Sequence, residues 1–213
     1  MSAHCCHHEA PPSRANDPRY RRVLWIALLL NAAMFLLEVG AGVRSGSVSL
    51  LADAVDFAGD AANYGLSLAV LAMGVVARAR AAQVKAASMG AFGVLVLGRA
   101  IWAWTSGQVP EPATMGVVAV LALAVNVGVA VLLYAWREGD ANMRSVWLCT
   151  RNDALGNVAV GLAALGVFGT GSAWPDLLVA AAMALLALSA SISVLRQAKS
   201  ELATPHTHAQ HPH

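Results

Sequence analysis

The chain has 213 residues, 58% of them hydrophobic and only 12% charged, with a net charge of +2. Its apolar residues gather in blocks too long for a soluble core, which excludes an ordinary soluble domain. Three cysteines, two of them adjacent, give no disulfide framework, and neither a glycine-rich phosphate loop nor a nucleic-acid motif occurs.

In chain order, residues 1–21 form a polar tail, expected to be cytoplasmic, that carries His4, Cys5, Cys6, His7, His8 and Glu9. Apolar blocks follow at 22–43, 47–77, 84–106, 114–137, 145–169 and 174–196, each reaching the roughly 20 residues a helix needs to cross a bilayer. The expected fold is all-α, a polytopic membrane protein with six transmembrane helices in a single domain over 22–196. The first block lacks a small-residue cleavage pattern, so it is expected to stay as a helix. Residues 197–213 make a second cytoplasmic tail, with His206, His208, His211 and His213, too short to bury a core.

The separators alternate in character. Arg44-Ser45-Gly46, then Ser106 to Pro112, then Gly169 to Pro175 are rich in breakers and hold one basic residue, Arg44. The other side has Arg14, Arg19, Arg21 and Arg22, then Arg78, Arg80 and Lys85, then Arg137 and Arg144, then Arg196 and Lys199. An excess of Lys and Arg marks the cytoplasmic side, so both termini are expected there. Trp102, Trp104 and Trp174 then fall at the outer interface, with Trp25 and Trp136 at the inner one.

Within these blocks the acids stand out. Asp53, Asp56 and Asp60 share one face of the second helix, since residues three and four apart are neighbours on a helix surface. An ionised carboxylate at bilayer depth costs several kcal/mol unless it is paired, hydrated or metal-bound. The basic residues well inside the blocks are Arg99 and Arg151, so an interior of acids suits a cation. The competing reading is a set of salt bridges or hydrogen bonds that only fix packing. Glu38 in the first helix and Asp53 are candidates for an ion pathway or a brace.

The fifth helix repeats the spacing of four in Cys149 and Asp153. Two such pairs on facing helices would supply the four ligands that tetrahedral zinc takes. Against this, Cys149 is equally a small buried hydrophobe, and Arg151 is placed to neutralise Asp153. Asn31, Asn126 and Asn157 lie near helix centres and are expected to hydrogen-bond between helices, with Asn157 also a pathway candidate. The tail residues His4, Cys5, Cys6, His7, His8, His206 and His208 suit weak capture of borderline divalent ions, or are simply solvated ends.

The run Asn31…Glu38-x-x-x-Gly42-x-x-Ser45-Gly46-Ser47-x-Ser49-Leu50-Leu51-Ala52-Asp53-Ala54-x-Asp56-x-x-x-Asp60 resembles the cation diffusion facilitator family. That family carries His or Asp, three residues, then Asp in its second helix, matched by Asp56 and Asp60. Its fifth helix carries His, three residues, then Asp; Asp153 matches the acid and Cys149 takes the histidine position.

The resemblance implies a homodimeric metal exporter of the cell (inner) membrane, exchanging Zn²⁺ for protons by alternating access, with Cd²⁺, Co²⁺ and Ni²⁺ as alternative cargo and no cofactor. Its metal ligands would be Asp56, Asp60, Cys149 and Asp153. Two departures are the Cys149 substitution and the expected lack, after the sixth helix, of the family's usual cytoplasmic metal-binding domain. They leave open a second reading, a non-transporting accessory subunit of a larger transporter. A channel suits tight four-ligand binding less well, and enzymatic catalysis has no nucleophile with a base beside it.

Overall fold

The computed structural model describes residues 18–69, 75–135 and 141–203; the side chains of 75–79, 81, 82, 85, 141–152, 197 and 200–203 are outside that description. Every described element is a helix: α1 Pro18–Ser45, α2 Val48–Ala69, α3 Val75–Ser106, α4 Pro112–Tyr134, α5 Ala141–Thr170 and α6 Trp174–Ala203. Five of them, α1, α3, α4, α5 and α6, hold stretches long and apolar enough to cross a membrane. The remaining one, α2, has the length at 22 residues, but Asp53, Asp56 and Asp60 interrupt its apolar run.

One boundary differs from expectation. The second apolar block runs to residue 77, yet α3 already begins at Val75 and α2 is described only to Ala69. Leu71 to Val76 continues the hydropathy of both neighbours without a charge, so composition alone does not divide them. The start of α1 at Pro18, before its apolar block, follows the preference of proline for the first helical turn.

Three glycines end alternate helices. Gly46, Gly107 and Gly171 follow α1, α3 and α5 with φ of 74°, 64° and 62°, the left-handed conformation that stops a helix without a Cβ penalty. The Gly171 N–H donates back to the Val167 carbonyl at 2.8 Å, satisfying a carbonyl that the helix end would orphan. These turns meet at one end of the bundle: the Glu111 N–H, just before α4, donates to the Ser45 carbonyl at 2.9 Å. Exposed Trp102, Trp104 and Trp174 lie at this same end, as an aromatic belt at one interface requires.

Packing is tightest within the pairs α1–α2, α3–α6 and α4–α5. Helix α2 enters every buried cluster: Leu50 packs with Met115 and Val160, Tyr64 with Leu24 and Val129, Ala52 and Val55 with Val96 and Ala180, and Phe57 with Met34 and Ala122. The helix carrying three aspartates is therefore the one the others surround. That placement shields its acids from the apolar exterior and gives them neighbours to act on.

Small residues allow the close approaches. A Cβ on Gly166 would lie 2.8 Å from Cβ and 3.0 Å from Cγ of Pro175, both in a rigid ring. Gly166→Ala should therefore lower stability by about 1–2 kcal/mol, overpacking outweighing the gain in helix propensity, read as a lower Tm of the purified protein. An unchanged or raised Tm would mean that α5 and α6 part at no cost.

Candidate metal site

The interior acids form a contiguous group spanning α1, α2 and α5. Glu38 is wholly buried and Asp53 is 1% exposed, and their carboxyl groups meet across α1 and α2. Both oxygens of Glu38 and Oδ2 of Asp53 lack a hydrogen-bond partner among the described residues. Two carboxylates are both acceptors, so their contact needs a shared proton or a cation between them.

One and two turns along α2, Asp56 is half-buried and Asp60 buried. Asp153 of α5 comes within hydrogen-bonding reach of both, while its Oδ2 meets no donor among the described residues. The spacing of four between Asp56 and Asp60 thus faces a third carboxyl from the other side. Asp56 also acts electrostatically on Glu38 and Asp53, which joins the two halves of the group. Among the described residues, the charged neighbours that bear on Glu38, Asp53 and Asp153 are acids.

These carboxyls meet pairwise. Among the described residues no group of three His, Cys, Asp or Glu closes on a single ion-sized point. The fourth residue of the expected set, Cys149, lies one turn before Asp153 on α5, and its side chain is outside the described residues, as is that of Arg151. The tail residues His4, Cys5, Cys6, His7, His8, His206 and His208 are outside them as well.

The asparagines depart from expectation. Asn31 donates its amide to the Ala27 carbonyl at 2.8 Å, a bond within α1 and not between helices. A short amide side chain on a helix reaches the carbonyl four residues back more readily than it reaches a neighbouring helix. Among the described residues, Oδ1 of Asn126 and both polar atoms of Asn157 find no partner. Asn157 is 1% exposed and one turn beyond Asp153, so α5 continues its polar line there. Arg99 lies over the Trp102 ring at 4.3 Å, a cation–π contact at the glycine-turn end of α3.

The residue that sequence reasoning missed is Asp176, in the first turn of α6 and 1% exposed. It bonds to Ser47, Val48 and Ser49 at the start of α2. Its signal was an acid at the edge of an apolar block, opposite the serines of the first separator.

The exterior of the bundle is apolar, with Phe168 80%, Trp104 78% and Val117 71% exposed, while Glu38, Asp53, Asp60 and Asp176 are buried. Apolar outside and acidic inside, with five helices of spanning length, this is a multi-pass membrane protein. Its family follows from comparison: the family model of the cation efflux transmembrane domain matches residues 24–203, and the chain belongs to this cation diffusion facilitator family. It is 29% identical over 201 residues to "Zinc transporter ZitB" of Escherichia coli, an alignment covering 87% of this chain and 63% of that one. It is 28% identical over 193 residues to "Metal cation efflux system protein CzcD" of Cupriavidus metallidurans, covering 85% of this chain and 61% of that one. The chain thus spans somewhat under two thirds of the length of these relatives.

Proposed function

We propose that this protein exports divalent metal cations from the cytoplasm in exchange for protons, with Zn²⁺ the leading cargo. The observation that carries the reading is Asp153 of α5 lying within hydrogen-bonding reach of Asp56 and of Asp60 on α2, inside an apolar bundle. Membership of the cation efflux family supports it, as do relatives named for zinc transport and metal cation efflux. Zinc fits oxygen ligands with or without a thiolate, and Cys149 would add one.

The same carboxyls explain the coupling. Each loses its hold on a metal ion when it binds a proton, so an inward proton gradient displaces cargo outward through a site that alternates between the two sides. In this reading all six helices span the inner membrane, both termini are cytoplasmic, and the chain works as a homodimer within the lipid bilayer. The tails outside 22–196 gather metal ions, and no cofactor takes part.

The test is zinc uptake into proteoliposomes containing only this protein, with and without an imposed pH gradient. Gradient-dependent flux is the expected result. Well-folded protein that moves none of Zn²⁺, Cd²⁺, Co²⁺ or Ni²⁺ would overturn the transport reading.

A further inference from the structure

The N-terminus of α2 is capped by a residue from the far end of the chain. Oδ1 of Asp176 accepts from Ser47 Oγ at 2.7 Å, from Ser49 Oγ at 2.6 Å and from the Ser49 N–H at 3.0 Å. Its Oδ2 accepts from the Val48 N–H at 2.8 Å. Ser47 Oγ in turn accepts the Leu50 N–H at 3.2 Å, the usual bond of a serine N-cap. The first amides of α2, which no helix satisfies from within, are thus divided between its own cap and an acid on α6. A carboxylate here also meets the positive end of the helix dipole, away from water that would screen it.

This contact fixes a level, because α6 is itself anchored. Ser191 Oγ donates to the Ala86 carbonyl at 2.6 Å, tying α6 to α3. Gly90 and Gly93 bring the same two helices close: a Cβ on either would meet Ser191 or Leu188. Pro175, next to Asp176, packs against Gly166 of α5. Asp176 and Pro175 therefore hold the start of α2 and the end of α5 at one height.

From that height the two helices run side by side. At about 1.5 Å per residue, Asp60 lies about 18 Å from Val48 along α2, and Asp153 lies about 20 Å from Gly166 along α5. The matching distances bring Asp60 level with Asp153. A slip of α2 by one residue would move Asp56 and Asp60 by about 1.5 Å along the axis and by about 100° around it, removing them from Asp153.

We propose that Asp176 is a positioning residue for the cation site, holding α2 at the level and rotation where Asp56 and Asp60 meet Asp153. The proposal rests on those acids binding the cation. Asp176 touches neither the acids nor the cargo, and acts through the helix it caps.

The test is Asp176→Asn in the full chain, with zinc affinity measured by calorimetry and amide exchange followed at Val48, Ser49 and Leu50. The amide group keeps one oxygen but sets a donor against the N–H groups of α2. Exchange at these amides should quicken, zinc affinity should fall by about tenfold, and Tm should fall as buried donors lose their acceptor. Faster exchange with unchanged zinc affinity would overturn the proposal, leaving Asp176 a structural cap.

Should Asp176→Asn fail to fold, Ser49→Ala removes the 2.6 Å bond to Asp176 and the 3.3 Å contact between the Ser47 and Ser49 hydroxyls, and keeps the carboxylate on both amides. Its zinc affinity should fall by a smaller factor, and no change would count against the proposal in the same way. Wild-type protein that binds no zinc would bring down the cation reading itself, an outcome separate from wild type binding and both variants binding alike.

Discussion

Asp60→Asn and Asp153→Asn should each abolish gradient-driven zinc flux while leaving the protein folded. Asparagine keeps the volume of the side chain and one oxygen but removes the charge that holds a divalent ion. Loss of an outer partner of a metal ligand typically costs about 10- to 100-fold in affinity, and loss of a ligand should exceed that. Asp60 and Asp153 are in reach of each other across α2 and α5, so the double variant should do little more damage than either single one. Tm should hold or rise in both single variants, because each replaces one of two neighbouring acceptors by a group that also donates. Flux that survives either substitution would move the ion path away from these acids and return them to packing.

The parts of this arrangement that sequence exposed are those where a residue type conflicts with its surroundings. Asp53, Asp56 and Asp60 interrupt an apolar run, and the cost of a charge at that depth marks them whatever the neighbours are. Gly46, Gly107 and Gly171 were visible as breakers for a related reason, since left-handed backbone selects glycine. Partnership was less visible. A helical stripe groups Asp53 with Asp56 and Asp60, whereas tertiary packing brings Asp53 to Glu38 on α1 as well. Asp176 escaped notice because an acid at the edge of an apolar block costs little if it faces water; only the fold turns it inward to the first amides of α2. The boundary between α2 and α3 was hidden by continuous hydropathy, which carries no information on where one helix stops and the next begins.

Glu38→Gln should raise stability and lower transport together. In the native chain Glu38 is wholly buried, neither of its oxygens meets a donor among the described residues, and the group it touches is another acid. Glutamine retains the shape and supplies an amide N–H₂ to Asp53, a hydrogen bond that needs no shared proton or cation. A gain of about 1 kcal/mol corresponds to a rise in Tm of about 2–4 °C for a chain of this size. Flux should fall nonetheless, because Asp53 loses the acid it meets across α1 and α2, and a protein that keeps buried carboxyl oxygens without donors among the described residues gives up stability for what they do. A lower Tm would show that the Glu38–Asp53 contact itself holds α1 to α2. A higher Tm with full zinc flux would place both residues outside the ion path and confine the working site to Asp56, Asp60 and Asp153.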